Sequence, residues 1–533
     1  MHSTLTLMNR RNLVPIAVIS IFSILIHCLF ISSDFEFHRD ELFYIVLGYH
    51  PALGYFDLPP FISYISFILN LTGLNSLFVI RIICALILAV SAFCCYKIAL
   101  QLSKNIYLGY FAALIFILTP VGLRMGILYQ YTSFDLMFWN ILMLLFLKWY
   151  QTEEIDNANK YLKLFGIVSG IALMNKYMIL LLISGLFLGL LLSPKRKMFF
   201  KKEVLYAAII AFIIVLPNLL WQVYYGFPYM LNAKQIYDNQ LVNNSASQFI
   251  KDQILNYGPA GLFWIIFIVF SFSVKKYRVF LPFTAAFFFV LALLILLKGK
   301  SYYSMGLYPA LITFGIYFIY DFLKNKKLSI AILSLLFIMT AWLPIRFMTA
   351  FIPDQSPNEM PETFKYLAEE KGIESRRWED GKIHFLPQDY ADMLGWKEMA
   401  ELTQRAYSEL TPEEKASTLV FAGNYGIASA VEYYSRTGSD ENKITSPIVN
   451  SNSSFIQWAP ESFPLKNAIV VDDMDSTLYD MFKKVEIVGK FDHPQARESG
   501  LFVFKCTEPK INMEEFYYNW RQKAYEKKFR KIF

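Results

Sequence analysis

Residues 39–44 read Arg-Asp-Glu-Leu-Phe-Tyr, and residues 54–60 read Gly-Tyr-Phe-Asp-Leu-Pro-Pro. Both stretches follow the first long apolar segment, residues 13–33, so they place three carboxylates in a predicted loop beside a membrane. Charged groups near a bilayer are costly unless they are solvated, paired or functional. Asp40, Glu41 and Asp57 are therefore candidates for a site that faces a lipid-borne ligand, although an ordinary polar loop would carry such residues too.

The chain of 533 residues is too apolar to be a soluble globule. Its residues are 56% hydrophobic and 17% aromatic, its mean hydropathy is +0.38, and its apolar residues gather in runs that suit a bilayer. We predict a mostly α-helical, polytopic membrane protein of about eleven spans. The predicted spans are 13–33, 77–100, 107–121, 133–150, 161–174, 177–192, 204–221, 259–272, 279–297, 304–322 and 328–347.

The orientation follows from the positions of Lys and Arg, which collect on the cytoplasmic side of membrane proteins. With the N-terminus inside, the predicted inner loops hold 18 of these residues and the outer segments before residue 351 hold 8. This bias accounts for much of the net charge of +7, so a nucleic-acid partner is not implied. The first span lacks a small-residue cleavage site, and we expect it to be retained.

Two apolar stretches do not fit simple spans. Residues 61–71 are too few to cross about 30 Å of hydrocarbon, so we predict an interfacial helix in the first outer loop. Residues 161–192 form one apolar run that is broken by Asn175 and Lys176. A pair of short helices with Lys176 at the outer turn fits this run, whereas a single tilted helix would bury the lysine in the membrane.

Hydrophobicity falls after residue 350, where three prolines mark a linker. We predict buried strands at 418–422, 468–471, 485–488 and 501–504, and helices at 362–370 and 427–435. The expected organisation is a transmembrane catalytic domain at 1–350 and a soluble, extracytoplasmic α/β domain at 351–533. The six histidines lack metal-ligand spacing, and of the five cysteines only Cys506 lies outside the predicted spans.

Several motifs together resemble the bacterial branch of the protein mannosyltransferase and aminoarabinose (lipid A) transferase superfamily, which are membrane glycosyltransferases of GT-C type. The resemblance covers roughly the first 350 residues and implies a GT-C fold. A segment from Asn424-Tyr425-Gly426 to Tyr434 also looks like the outer domain of some bacterial members. The motifs are the acidic pair at 40–41, the segment 54–60, residues 131–139, Asn175-Lys176-Tyr177, residues 298–302 and Tyr308-Pro309.

The resemblance implies transfer of a sugar from a polyprenyl-phosphate carrier to an acceptor hydroxyl, with inversion, on the outer face of the cytoplasmic membrane. The acceptor would be a protein, a lipid or a glycan, and a composition rich in Lys, Asn, Ile and Phe suggests a bacterial chain with undecaprenyl phosphate as carrier. By match to the family's acidic pair, Asp40 is the candidate general base, since a carboxylate can take the proton of an attacking hydroxyl. Glu41 would orient the loop or the acceptor.

The resemblance also implies residues that bind substrate. Asp57, with Tyr55 of the same motif, and Asp135 would position donor or acceptor, while Leu58 stands where aminoarabinose transferases carry a Lys. A lipid monophosphate leaving group needs a cation. The candidates are Arg124, Lys176, Lys298 and Lys300, of which Lys298 and Lys300 are favoured, with Tyr302 and Tyr303 as hydroxyl donors. No metal or other cofactor is required, although Asp40, Glu41 and Asp57 would supply oxygen ligands to a divalent ion.

Two other functions are compatible with many spans. A transporter or lipid flippase should carry its charged sites near the bilayer midplane, whereas the predicted spans hold few carboxylates. A non-catalytic membrane scaffold should tolerate an amide in place of each carboxylate at 40–41, whereas an enzyme with Asp40 as its base should lose turnover.

Overall fold

The computed structural model describes residues 10–438 and 443–529. The chain divides into two compact units. One, here called the helical unit, comprises residues up to Phe30, Phe78–Leu219 and Lys234–Ile352. The other, here called the sheet unit, comprises Ile31–Leu77, Leu220–Ala233 and residues from Pro353 onward. The first outer loop therefore belongs to the same unit as the C-terminal region.

Most of the described chain is helical. The α-helices are α1 Arg10–Leu29, α2 Arg39–Leu47, α3 Phe61–Leu71, α4 Leu77–Ser103, α5 Ile106–Ile117, α6 Pro120–Met125, α7 Tyr131–Gln151, α8 Ile155–Asn175, α9 Ile179–Leu191, α10 Lys202–Tyr224, α11 Pro228–Asn239, α12 Ala246–Leu255, α13 Gly261–Ser273, α14 Leu281–Leu296, α15 Tyr308–Phe322, α16 Lys326–Arg346, α17 Met360–Lys371, α18 Gln388–Ala391, α19 Trp396–Ser408, α20 Pro412–Lys415, α21 Tyr425–Thr437, α22 Thr477–Met481 and α23 Met513–Glu526. Short 3-10 helices lie at Arg196–Phe200, Leu241–Asn243, Gly258–Ala260, Lys275–Phe280, Ser301–Leu307, Met348–Ala350 and Ser453–Gln457.

Each of the eleven predicted spans coincides with a helix, and the chain is a multi-pass membrane protein, but eleven crossings are not confirmed. Among the described residues, five helices are long and apolar enough to cross a membrane, or six if the pair Ala246–Leu255 and Gly258–Ser273, bent by 100°, is one span. Helix α5, with 12 residues, extends only about 18 Å at 1.5 Å per residue. The helix predicted at 61–71 is confirmed as Phe61–Leu71, and so is the break at Lys176 between α8 and α9, whereas the interfacial position of the former helix stays a prediction.

Small residues let the helices of the helical unit approach closely. A Cβ on Gly315 of α15 would overlap the Phe263 carbonyl of α13, and a Cβ on Gly189 of α9 would overlap Pro282 of α14. Such contacts bring backbones together without a long side chain between them, as is common in membrane helix pairs. Replacing either glycine would push two helices apart.

A five-stranded mixed sheet organises the C-terminal region. Its strands are β1 Thr418–Ala422, β2 Ile448–Val449, β3 Asn467–Asp472, β4 Phe482–Lys490 and β5 Phe502–Pro509, in the order β2-β1-β3-β5-β4. Strand β1 pairs in parallel with β2 and β3, and β5 pairs antiparallel with β3 and β4. The four predicted strands and the predicted helices at 362–370 and 427–435 are confirmed, whereas β2 was not predicted. The strand predicted at 485–488 is not buried, however: Glu486 and Ile487 are exposed, because β4 lies at the edge of the sheet.

The sheet unit buries one apolar cluster that includes a residue from the first outer loop. Phe56 packs in the same cluster as Leu419 of β1, Phe504 of β5 and Tyr517 of α23. Each of these side chains is almost fully buried, so the 54–60 motif is fixed by the core of the C-terminal region. The assignment of residues 1–350 to catalysis and of 351–533 to an extracytoplasmic domain stays a prediction.

Candidate functional site

The acidic pair lies on a helix rather than in the predicted loop. Arg39–Leu47 forms α2, which begins with a capping box: the Glu41 carboxylate accepts from the His38 backbone N–H at 2.8 Å, and His38 Nδ1 accepts from the Asp40 N–H at 3.1 Å. Capping satisfies backbone donors that the first turn leaves unpaired, which explains why this acidic stretch is helical. Glu41 is fully buried, so its position suits the orienting role expected of it.

Asp40 keeps part of its carboxylate accessible. Its side chain is 30% exposed, and its Oδ1 accepts a hydrogen bond of 2.6 Å from the hydroxyl of Tyr425, the first residue of α21. Its Oδ2 lies 4.0 Å from His38 Nδ1. One carboxylate oxygen is thus held by a hydrogen bond, and the side chain as a whole remains partly exposed.

A buried charged network supports the start of α2. Asp392, whose side chain is 3% exposed, lies 3.7 Å from His38 Nε2, 3.9 Å from an Arg39 nitrogen and 3.1 Å from an Arg497 nitrogen. Burial raises the pKa of Asp392, and the neighbouring His38, Arg39 and Arg497 oppose that rise. Burial likewise raises the pKa of Glu498, which accepts from the Asn424 amide at 3.1 Å. Clustered cations are what make these buried carboxylates tolerable.

Asp57 is held by the C-terminal region. Its Oδ2 accepts from the hydroxyls of Ser453 at 2.7 Å and Ser454 at 2.5 Å, and the Asn232 amide donates to its carbonyl at 3.3 Å. Lys528 lies close by, donating to the Ser453 carbonyl at 2.5 Å with its ammonium 4.5 Å from the Phe56 ring. Burial lowers the pKa of Lys528 to about 8, and Asp57 partly opposes this shift. The Asp57 carboxylate is therefore anchored within the protein.

Tyr55 and Leu58, which belong to the 54–60 motif together with Asp57, are both buried. The Tyr55 hydroxyl donates to the His50 carbonyl at 2.8 Å and accepts from the Ala52 N–H at 3.0 Å. These bonds close the turn that follows α2. The substrate-binding role expected of Tyr55 stays a prediction, and the geometry shows a residue that shapes the loop. Leu58, 2% exposed, is a core residue.

In the helical unit, Lys176 is a buried cation surrounded by a carboxylate and three tyrosine rings. Its side chain is 5% exposed, and its Nζ lies 3.9 Å from Asp135 Oδ2, while the Trp139 indole donates to Asp135 Oδ1 at 3.0 Å. The ammonium is 4.7 Å from the Tyr303 ring centroid, 5.0 Å from that of Tyr131 and 5.9 Å from that of Tyr302. Within the described part of the chain, Lys176 Nζ has no hydrogen-bond partner. A buried ammonium with unused donors suits an anionic ligand.

The other predicted cations are placed differently. Lys298 donates to the Val242 carbonyl at 2.7 Å from an exposed position. Lys300 lies with its ammonium 6.0 Å from the Tyr302 ring centroid, close enough to Lys176 to repel it electrostatically. Arg124 is partly exposed on α6. The expectation that Lys298 and Lys300 bind the lipid phosphate stays a prediction. Burial and the unused donors of its ammonium make Lys176 the better candidate for this role.

The predicted site residues thus form separate groups: Asp40, Glu41, Tyr55 and Asp57 in the sheet unit, and Asp135, Lys176, Tyr302 and Tyr303 in the helical unit. Sequence reasoning missed their partners Tyr425, Asp392, Ser454 and Lys528. Tyr425 had a signal, because it lies in a motif that resembles the family's outer domain. In residues 10–438 and 443–529, no three His, Cys, Asp or Glu side chains are grouped so that they could hold a metal ion.

Comparisons with known proteins agree with this architecture. Residues 57–221 match the family described as Dolichyl-phosphate-mannose-protein mannosyltransferase. The chain is 27% identical over 187 residues to the lipid A galacturonosyltransferase RgtD of Rhizobium johnstonii, an alignment that covers 35% of this chain and 38% of that relative. The chain thus spans well under half the length of this curated relative.

Solved structures match over nearly the whole chain. ArnT from Cupriavidus metallidurans bound to undecaprenyl phosphate superposes with a TM-score of 0.56 at 13% identity, over 93% of this chain and 97% of ArnT. The same protein in the apo state gives a TM-score of 0.56 at 10% identity, over 92% and 97%. These likenesses show the fold. The chain has the GT-C fold of the glycosyltransferase superfamily to which its motifs pointed.

Proposed function

We propose that this protein transfers a sugar from a polyprenyl-phosphate donor, with undecaprenyl phosphate as the carrier, to an acceptor hydroxyl at the outer face of the cytoplasmic membrane, with inversion. The observation that carries the proposal is the Asp40 carboxylate: it is partly exposed, held by one oxygen, and located in a motif of the superfamily whose fold the chain has. The family match at residues 57–221 and the lipid A galacturonosyltransferase relative support a lipid-linked sugar donor.

Asp40 acts in this proposal as the general base. The acceptor hydroxyl attacks the anomeric carbon, its proton passes to Asp40 Oδ2, and the bond from that carbon to the phosphate oxygen breaks with its electrons going to the lipid phosphate. A carboxylate within hydrogen-bond reach accelerates such an attack about 10²- to 10⁴-fold by general-base catalysis. Glu41, buried in the cap of the same helix, keeps Asp40 in place.

Lys176 acts in this proposal as a cation for the donor phosphate. The donor carries an anionic lipid monophosphate, and a buried ammonium can bind that charge. Lys176 is buried, lies among tyrosine rings and makes no hydrogen bond within the described residues. Asp135 holds this ammonium before a donor binds.

The acceptor is proposed as a class: a hydroxyl of a protein, a lipid or a glycan. The excess of Lys and Arg in the predicted inner loops supports a cytoplasmic N-terminus and an extracytoplasmic C-terminal region. The reaction would then use donors displayed on the outer leaflet, and membrane lipids would surround the helices.

The test is sugar transfer from a panel of radiolabelled polyprenyl-phosphate sugars in membranes that contain the wild-type chain or Asp40→Asn at matched expression. We expect at least one donor to label a membrane or protein acceptor with the wild type, and we expect the label to be lost with the variant. If donors and acceptor extract are shown to be competent with a control enzyme and no donor gives transfer, the proposed activity is wrong.

A further inference from the structure

The C-terminal region supplies the hydrogen-bond donor that touches the candidate base. Tyr425 is the first residue of α21, whose N-cap Asn424 accepts from the N–H groups of Gly426 and Ile427 and so fixes the helix start. From there the Tyr425 hydroxyl reaches Asp40 Oδ1 at 2.6 Å, across 385 residues of sequence. This contact lies within the sheet unit, which contains both residues.

The tyrosine ring is held as firmly as its hydroxyl. The Arg39 guanidinium lies 4.4 Å from the ring centroid, and the Phe43 ring meets it edge to face at 5.3 Å between centroids. A cation over an aromatic face and an edge-to-face ring pair each favour one ring orientation. The ring therefore stays in place when only the hydroxyl is removed.

The hydroxyl remains a donor at any pH at which the protein works. Burial, and then the charge of Asp40, raise the pKa of Tyr425 well above its usual value of 10, so the phenol keeps its proton. The charged or titratable groups that face Asp40 are His38 and Arg39 at the start of α2, Asp392 from the chain before α19, and Tyr425 itself.

We propose that Tyr425 is a positioning residue for the transfer reaction: its hydroxyl fixes Oδ1 of Asp40 so that Oδ2 is directed to the acceptor hydroxyl. The inference rests on the proposed function and assigns to the C-terminal region a direct part in the active site. During the reaction the acceptor proton moves to Oδ2, while the Tyr425 proton stays on its own oxygen.

The test compares Tyr425→Phe with Tyr434→Phe. Tyr434 lies on the same helix and its hydroxyl also donates to a carboxylate, that of Glu36 at 3.3 Å, so the control removes the same group from the same element. Turnover and donor KM are measured for the full chain in proteoliposomes with the donor that the wild type uses. Thermal melting of each purified variant is measured alongside.

We expect Tyr425→Phe to lower kcat about tenfold, because the Asp40 carboxylate loses the hydrogen bond that orients it. Donor KM and melting temperature should stay near the wild-type values, and Tyr434→Phe should leave kcat unchanged. In an Asp40→Glu background, where the carboxylate is displaced by a methylene, Tyr425→Phe should cost much less.

A kcat near the wild-type value in Tyr425→Phe would overturn the proposal, and so would a loss of turnover that comes with a lower melting temperature, which is the behaviour of a structural residue. An equal cost of Tyr425→Phe in the wild-type and Asp40→Glu backgrounds would also overturn it. A wild-type chain that transfers no sugar would contradict the proposed function itself. The wild type is therefore measured before any variant.

Discussion

Replacing Lys176 with Met tests whether the buried ammonium binds the donor phosphate. Methionine keeps the length and apolar stem of lysine, so the packing against Tyr131 and Tyr303 should persist. The lost group lies 3.9 Å from Asp135 and makes no hydrogen bond within the described residues. If the phosphate takes up those donors, each bond to a charged partner contributes about 1.5–3 kcal/mol.

That range corresponds to about 10- to 100-fold in affinity, because about 1.4 kcal/mol is tenfold. We therefore expect Lys176→Met to raise the donor KM, or the Kd of a non-hydrolysable donor analogue, by that factor. Asp135→Asn is the matched variant, since it removes the other half of the pair and leaves the ammonium available to the phosphate.

The double variant Lys176→Met/Asp135→Asn separates two explanations. If Lys176 only neutralises the buried Asp135 carboxylate, the double variant should recover donor affinity, because neither charge remains. If Lys176 binds phosphate, the double variant should remain as weak as Lys176→Met. Recovery to the wild-type affinity would refute the assignment. Donor binding is measured by displacement of a labelled analogue from detergent-solubilised protein, with thermal melting as the control for folding.

Two further predictions concern the residues around the loop motifs. Glu41→Ala should lower the free energy of unfolding by about 1–2 kcal/mol, seen as a drop of several degrees in melting temperature, because the His38 N–H loses its hydrogen-bond acceptor. Glu41→Gln keeps an acceptor oxygen and should melt near the wild type. Equal melting temperatures of the two variants would contradict the capping role. Burial lowers the pKa of Lys528 to about 8, whereas an unfolded lysine titrates near 10.4. Between about pH 8 and 10.4 the unfolded chain therefore binds more protons at this residue, and its contribution makes the free energy of unfolding rise with pH. Melting scans of the wild type and Lys528→Met should show this rise only in the wild type.

The fold was largely predictable because its signals are long and periodic. Apolar runs located every helix that was assigned as a span, and short apolar runs located buried strands such as β1. The number of crossings was less accessible, since helices such as α5 are apolar but short. The helical start of the acidic stretch was missed because a His N-cap is an uncommon signal: Ser, Thr, Asp and Asn are the usual residues there.

Only those residues of the candidate site that lie within local sequence motifs could be predicted. Asp40 and Lys176 were named from local patterns, whereas Ser454 and Lys528 lie about 400 residues or more from the Asp57 motif that they contact. Such contacts depend on tertiary packing, to which no local spacing rule applies. Tyr425 shows this limit, because the sequence revealed the motif in which it lies but not its hydrogen bond to Asp40.

The most direct test of the account is single-turnover sugar transfer by purified wild type and Asp40→Asn, with saturating donor and a defined acceptor. Asparagine keeps the size of the side chain and can still accept the Tyr425 hydrogen bond, but it cannot take up a proton at neutral pH. We predict that transfer slows by about 10²- to 10⁴-fold while donor binding and melting temperature are retained. Transfer by Asp40→Asn at the wild-type rate would contradict it.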